Sequence, residues 1–215
     1  MTKPEFKPKN NMLKIYLARH GQDQDNATGI LNGHRDKPLT DLGISQAHAV
    51  ADKAKEKNLT FDVIYSSPLQ RTFQTASIIG ETLHIDNIIK LDELIERDFG
   101  VMTGQAVPDI ERMCAPDIIK TEKTTYFLSP DGAETFPDLI NRGKSLLNSI
   151  QVKHEDGSIL LVTHGDIGKM IYAAYYNLDW KEILTMFHFG NSELLILSSD
   201  TSANEAHVIE IEQYN

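Results

Sequence analysis

Two histidines in this chain each end an apolar run and precede a glycine. The segments are Lys14-Ile-Tyr-Leu-Ala-Arg-His-Gly21 and Ser158-Ile-Leu-Leu-Val-Thr-His-Gly165. A neutral imidazole keeps a lone pair near pH 7, so His20 or His164 can attack phosphorus. A protonated one donates hydrogen bonds to a phosphoryl oxygen and offsets charge in the transition state. Arg19 stands beside the first histidine, and a guanidinium grips two phosphate oxygens in fork geometry. The glycines permit a sharp turn and bring backbone N–H groups close to an anion. Either His-Gly pair alone is weak; two of them describe a site for an anion.

Two further segments add charge of both signs. Ser66-Ser67-Pro68-Leu69-Gln70-Arg71 reads as a strand tip running into a helix. Helix N-termini attract anions, and Arg71 adds a full charge in the first turn. The segment Leu94-Ile95-Glu96-Arg97-Asp98-Phe99-Gly100 follows a third strand. A carboxyl group beside an oxyanion pocket has its pKa raised by like charge and can hold a proton for a leaving group. Glu93, Glu96 and Asp98 all qualify on chemistry alone.

The elements that must carry these residues alternate between strand and helix patterns, which points to an α/β fold with a mainly parallel sheet flanked by helices. Strands are expected at Leu13–Ala18, Asp62–Tyr65, Ile88–Leu91 and Ser158–Thr163. Residues 19–39 read as loop. Thr40 is placed to cap a helix reaching about Lys57, with Leu42, Ala47, Val50, Ala51 and Ala54 inward. Ser67-Pro68 reads as an N-cap and N1 proline opening a helix to about Leu83. Residues 92–134, broken by glycine and proline, read as an insertion or lid. Helices are expected at about 135–152 and 166–177, and a closing antiparallel pair at Leu194–Ser198 and His207–Glu212. In open parallel sheets ligands bind at the carboxyl ends of the strands, where both histidines fall.

The 215 residues are 40% hydrophobic and 24% charged, with a net charge of −10. That balance fits a soluble globular protein and disfavours nucleic acid, because no basic stripe offsets the repulsion. An anionic substrate is still admitted, since local cations in a cleft outweigh distant charges screened by salt. No apolar stretch approaches the ~20 residues of a membrane span. Cys114 is the sole cysteine, so no intrachain disulfide forms and a reducing, cytoplasmic setting is expected. We read residues 1–12 as a flexible tail and 13–215 as a single domain. A homodimer is a common state for soluble enzymes, though no segment marks an interface.

Taken together, the motifs resemble the histidine phosphatase superfamily, which includes cofactor-dependent phosphoglycerate mutases and fructose-2,6-bisphosphatases. Arg19-His20-Gly21-Gln22 matches the family's Arg-His-Gly-Glu/Gln signature, and Asn26 falls where the family carries a phosphate-contacting asparagine. Asn32-Gly33 through Leu42-Gly43 matches the loop into the first long helix. Ser66 to Ala76, Glu96 to Gly100, and His164-Gly165 match the remaining motifs in order and spacing. The resemblance implies a phosphoglycerate mutase-like three-layer sandwich. It implies that His20 is the phosphorylated nucleophile and that Arg19, Asn26, Arg71, His164 and Gly165 hold the phosphoryl group. Glu96 would protonate the leaving oxygen and later activate water. Gln22, Asn32, Gly33 and Arg97 become candidates for contact with the rest of a small phosphorylated metabolite. No metal or other cofactor is implied.

The chain departs from the family pattern in three places. Asp23 stands where Thr or Ser is usual, and an acid at the pocket rim would repel a second phosphate. Gly100-Val-Met-Thr-Gly104 replaces a Gly-Asp-Trp-Glu-Gly run. Residues 101–134 lack the paired arginines of mutases, leaving Arg112, Lys120 or Lys123 to meet a substrate carboxylate. The expected activity is therefore a metal-independent phosphatase. A phosphoglycerate mutase and a non-catalytic phosphate-binding module are the alternatives.

Overall fold

The computed structural model describes residues 12–200, 202–205 and 207–210. The tail expected at 1–12 lies outside them except for Met12, as does the end of the strand expected to reach Glu212. In chain order the strands are β1 (Leu13–Arg19), β2 (Val63–Ser66), β3 (Ile88–Lys90), β4 (Ile118–Lys120), β5 (Thr125–Phe127), β6 (Gly157–Thr163), β7 (Leu194–Leu197) and β8 (His207–Ile209). Six of them form one sheet in the order β3-β2-β6-β1-β7-β8. The first four of that order run parallel; β7 is antiparallel to β1, and β8 is antiparallel to β7. The fold is mixed α/β, with a mostly parallel central sheet between helical layers.

Successive side chains of a strand point to opposite faces. Ile15, Leu17, Ile159 and Leu161 join the core on one face, and Tyr16, Ala18, Leu160 and Val162 join the core on the other. Both faces are covered, which is why β1 and β6 read as unbroken apolar runs. One layer contains α2 (Asp41–Glu56) and α3 (Gln70–Leu83); the other contains α5 (Phe136–Lys153), α6 (Gly165–Tyr176) and α7 (Trp180–Met186). Thr40 and Thr135 cap α2 and α5 by accepting from Gly43 N–H and Asp138 N–H.

Four local expectations need correction. Ser67 does not cap α3, which starts at Gln70 with Leu69 at the N-cap and no side-chain cap; the Ser67 hydroxyl pairs with His164 instead. Residues 19–39 are not all loop, because Asp23 caps a short helix, α1 (Gln24–Thr28). Leu42 is only half-buried, and Gly43 and Gln46 take the contact positions on α2. Helix α7 falls where no element was expected. Within 92–134 the chain forms α4 (Asp109–Cys114) and the β4–β5 hairpin. Phe99, Met102, Ile110 and Phe127 give this segment a small core of its own.

The turn after β1 is pinned by α2. Gln22 N–H donates to Gln46 Oε1 at 2.8 Å, and Thr40 N–H donates to the Gln22 carbonyl at 2.9 Å. The contact is so close that a Cβ on Gly43 would lie 2.0 Å from the Gln22 oxygen, and one on Gly21 would lie 2.3 Å from the Gly43 oxygen. Backbone must move to admit either. Gly43→Ala is therefore expected to cost roughly 2–3 kcal/mol of stability as an overpacking change, measured by urea denaturation. Wild-type stability would contradict the close approach.

Candidate active site

The register of β1 against β6 brings the two histidines together. Leu13 pairs with Gly157 and Arg19 with Thr163, so the next residues, His20 and His164, leave the sheet side by side. His20 N–H donates to the Thr163 carbonyl at 3.1 Å. The ring centroids are 5.1 Å apart with planes at 63°. On the other side of β6, Ser66 pairs with Val162, which brings Ser67 and then Arg71 to the same end of the sheet.

Each ring has one nitrogen committed. His20 Nδ1 lies 2.6 Å from the Gly21 carbonyl. A carbonyl only accepts, so Nδ1 carries the proton and Nε2 keeps its lone pair. His164 has the opposite arrangement. Arg71 Nε–H donates to its Nδ1 at 3.2 Å, so Nε2 carries the proton and faces Ser67 Oγ at 2.8 Å. Burial, then the Arg71 charge, holds both imidazoles well below their ordinary value of 6.5. The protonated His164 expected from chemistry alone is thus a neutral ring in this pocket.

Arg71 is fully buried and tightly held. Its Nη1 and Nη2 donate to the carbonyls of Arg35 at 2.6 Å and Gly33 at 2.8 Å. Asp23 Oδ2 lies 3.3 Å from Nε. Arg19 donates through Nη1 to the Phe189 carbonyl at 2.6 Å, and its buried Nε has no acceptor among the described residues. A Cβ on Gly165 would approach the Arg19 guanidinium to 3.7 Å and Glu96 Oε2 to 3.8 Å. The glycine there keeps space open between a cation and a carboxyl group.

Glu96 sits at the N-terminus of α6. Its Oε1 accepts from Arg97 N–H at 2.8 Å and Ile167 N–H at 3.2 Å, and Oε2 accepts from Asp166 N–H at 3.3 Å. These donors and Arg71 favour the carboxylate, but burial and the Asp166 charge outweigh them and raise the pKa. The segment carrying Glu96 is clamped from outside. Arg142 donates to the carbonyls of Glu93, Ile95 and Glu96 and forms a two-bond pair with Glu134. His34 Nε2 lies 2.8 Å from the Glu96 carbonyl. Neither clamp residue has a local sequence signal, since an arginine on an amphipathic helix reads as a solvated face.

A cavity of about 320 Å3 borders this cluster, lined among others by Arg19, Asn26, Asn32, Glu96, Arg97 and Gly165. The hairpin segment contributes Lys123, Tyr126 and Phe127 to its wall, and Lys169, His188 and Asn191 complete the polar part. Asn191 was not anticipated; its amide donates to the His20 carbonyl and to Asn26 Oδ1. Burial lowers Lys169 to about 8, with its ammonium on the Ile183 and Leu184 carbonyls.

Several expected positions lie elsewhere or act differently. Gln22 accepts from the Thr40 hydroxyl and does not line the cavity. Gly33 contributes its carbonyl to Arg71 rather than contacting the cavity. Arg97 lines the cavity as expected, but its guanidinium is packed against Phe99, Phe127 and Phe136 and paired with Asp166 at 2.8 Å. Of the three cations weighed for a substrate carboxylate, Lys123 alone lines the cavity; Arg112 and Lys120 pair with Asp109 and Glu111 on the surface. Asp23 is not at the rim but completely buried. Among the described residues, no cluster of His, Cys, Asp and Glu is arranged to hold a metal ion, and no helix is long and apolar enough to cross a membrane.

Two histidines and two arginines gather at the carboxyl end of a parallel sheet, beside a carboxyl group whose pKa burial raises. The chain belongs to the histidine phosphatase superfamily (branch 1), whose model matches residues 15–211. It is 30% identical over 168 residues to phosphoserine phosphatase 1 of Hydrogenobacter thermophilus, covering 78% of each chain. It is 35% identical over 158 residues to a probable phosphoglycerate mutase of Proteus mirabilis, covering 72% of this chain and 70% of the other. Among solved structures, the Entamoeba histolytica phosphoserine phosphatase in complex with 3-phosphoglyceric acid superposes with a TM-score of 0.69 at 26% identity, covering 86% and 90%.

The buried neutral rings make stability depend on pH. A histidine whose folded pKa is depressed binds fewer protons than in the unfolded chain, so stability falls as pH drops below the unfolded value of about 6.5. His20→Asn is expected to flatten the loss of stability between pH 6.5 and 5, measured by chemical denaturation across that range. An unchanged slope would show that His20 is not held neutral.

Proposed function

We propose that this protein is a metal-independent phosphatase that hydrolyses small phosphomonoesters through a phosphohistidine on His20. The observation that carries this reading is the bond between His20 Nδ1 and the Gly21 carbonyl. It fixes the tautomer whose Nε2 lone pair is available beside Arg71 and His164. In the first step Nε2 attacks phosphorus and the ester P–O bond breaks. Glu96, whose pKa is raised by burial, passes a proton to the leaving oxygen. In the second step water attacks phosphorus, Glu96 takes a proton from it, and the P–N bond breaks to release phosphate.

Charge growing on the phosphoryl oxygens is met by fixed donors. Arg19 and Arg71 supply two cations, and the Nε2–H of His164 supplies a neutral donor next to them. These groups take the part that magnesium plays in other phosphoryl-transfer sites. Asn26 and Gly165 complete the phosphoryl site. The bordering cavity has room for a small leaving group, with Asn32, Lys123 and Tyr126 as contacts. Phosphoserine leads the candidates, because relatives in bacteria and plants bear the name phosphoserine phosphatase. A cytoplasmic place of action accords with a single cysteine.

The mutase reading draws on relatives named phosphoglycerate mutase. The pairing of Arg112 and Lys120 with surface acids favours the phosphatase. Assay of phosphoserine, and of 3-phosphoglycerate with and without 2,3-bisphosphoglycerate, separates the two: free phosphate is expected, with little isomerisation.

His20→Ala is expected to lower turnover of an aryl phosphate by at least about a thousandfold, a loss typical of removing a covalent nucleophile. Undiminished hydrolysis would end the assignment. Glu96→Gln is expected to slow alkyl esters far more than aryl ones, whose leaving groups need no proton. It should also remove the decline in rate as pH rises through the Glu96 pKa. Equal effects on both ester types would take the proton-donor role from Glu96.

A further inference from the structure

Asp23 is unused by the mechanism above, yet it is completely buried in the phosphoryl site. Its Oδ2 lies 3.3 Å from Arg71 Nε and accepts from Asn32 Nδ2 at 2.7 Å, while Oδ1 accepts from Asn26 N–H at 2.8 Å. Three of its neighbours, Arg71, Asn32 and Asn26, are thus site residues. Of the five N–H groups of Arg71, three are engaged by His164 or Asp23, Arg35 and Gly33. A bound phosphoryl group that uses the rest of that guanidinium must share it with a carboxylate that never leaves.

We propose that Asp23 is a charge-setting residue of the phosphoryl site, which weakens the hold on inorganic phosphate and so speeds product release. With both histidines neutral, the fixed cations are Arg19 and Arg71. A charged Asp23 cancels one of them. Substrate and product respond differently to that cancellation. At neutral pH inorganic phosphate and the phosphomonoester both carry nearly two negative charges, but the ester is also held by its leaving group in the cavity. Phosphate has only the phosphoryl donors, so it loses the larger share of its binding. Burial raises the Asp23 pKa, while the Asn26 N–H, Arg71 and Arg19 favour its charged form and Asp25 opposes it. The carboxylate also orients Arg71 and Asn32, so a purely structural role predicts the opposite effect on binding when it is removed.

This inference rests on the phosphatase reading, and the test separates the two. Inhibition by inorganic phosphate is measured at pH 7.5 for wild type, Asp23→Asn and Asp23→Thr, with direct phosphate binding by calorimetry. Asp23→Asn keeps the size and hydrogen-bonding reach of the side chain; Asp23→Thr keeps an oxygen to cap α1. A fall in the phosphate inhibition constant of about tenfold or more in both variants, with kcat reduced and KM not raised, would support the proposal. Phosphate held equally or more weakly by both variants would overturn it and leave Asp23 an organiser of Arg71. Wild type that neither binds phosphate nor hydrolyses any ester would remove the phosphatase reading, and this inference with it.

Discussion

The site depends on the parallel register between β1 and β6. Both strands are buried on both faces, so their pairing is held by backbone hydrogen bonds and by packing that a slip would disrupt. A shift of one residue would turn Ile15 and Leu17 into the layer that takes Tyr16 and Ala18 and would separate the histidines at the strand ends. Arg19 opposite Thr163 is therefore the constraint from which the pair at 20 and 164 follows. The turn that aims His20 is fixed in its own right, because α2 approaches the Gly21-Gln22 backbone too closely for any side chain at 21 or 43.

Around this pair the electrostatics are arranged against protonation. Two guanidinium groups and deep burial keep each imidazole neutral, which preserves a lone pair on one ring and a single N–H on the other. Burial acts in the opposite sense on Glu96, against the pull of Arg71. A carboxyl group out of water and beside Asp166 resists ionisation, although the N-terminus of α6 offers it hydrogen bonds. Burial thus pushes the pKa of the imidazoles down and that of Glu96 up, the directions that acid–base chemistry near neutral pH needs. Burying Arg71 is costly, and the two carbonyls and Asp23 that offset the cost also fix its direction.

Much of this was legible in the sequence, for identifiable reasons. Apolar runs closed by His-Gly mark buried strands and their tips, and the Thr40 cap is a local signal that the fold respects. Where a side chain serves the site, the local signal misleads. Ser67 carries the pattern of a helix cap, but its hydroxyl is taken by His164. Asp23 reads as an acid at a rim because nothing nearby in sequence shows Arg71 waiting for it. Arg142 and His34 act on Glu96 from far along the chain, and no spacing rule reaches them. Helix α7 had one usable cue, since Asp179 accepts from Lys181 N–H at its start, but it is short, and much of its place depends on Trp180 stacking on Phe136 at 5.6 Å. Residues 92–134 stayed unreadable because their small core forms between distant positions such as Phe99 and Phe127.

The proposed chemistry converges on one nitrogen atom. The most direct measurement is a rapid-quench turnover of protein carrying 15N-labelled histidine, with the phosphorylated ring identified by 31P–15N coupling. The account predicts phosphorus on Nε2 of the ring at position 20, since Nδ1 is engaged by the Gly21 carbonyl. Phosphorus on Nδ1 of that ring, or on the ring at 164, would contradict it.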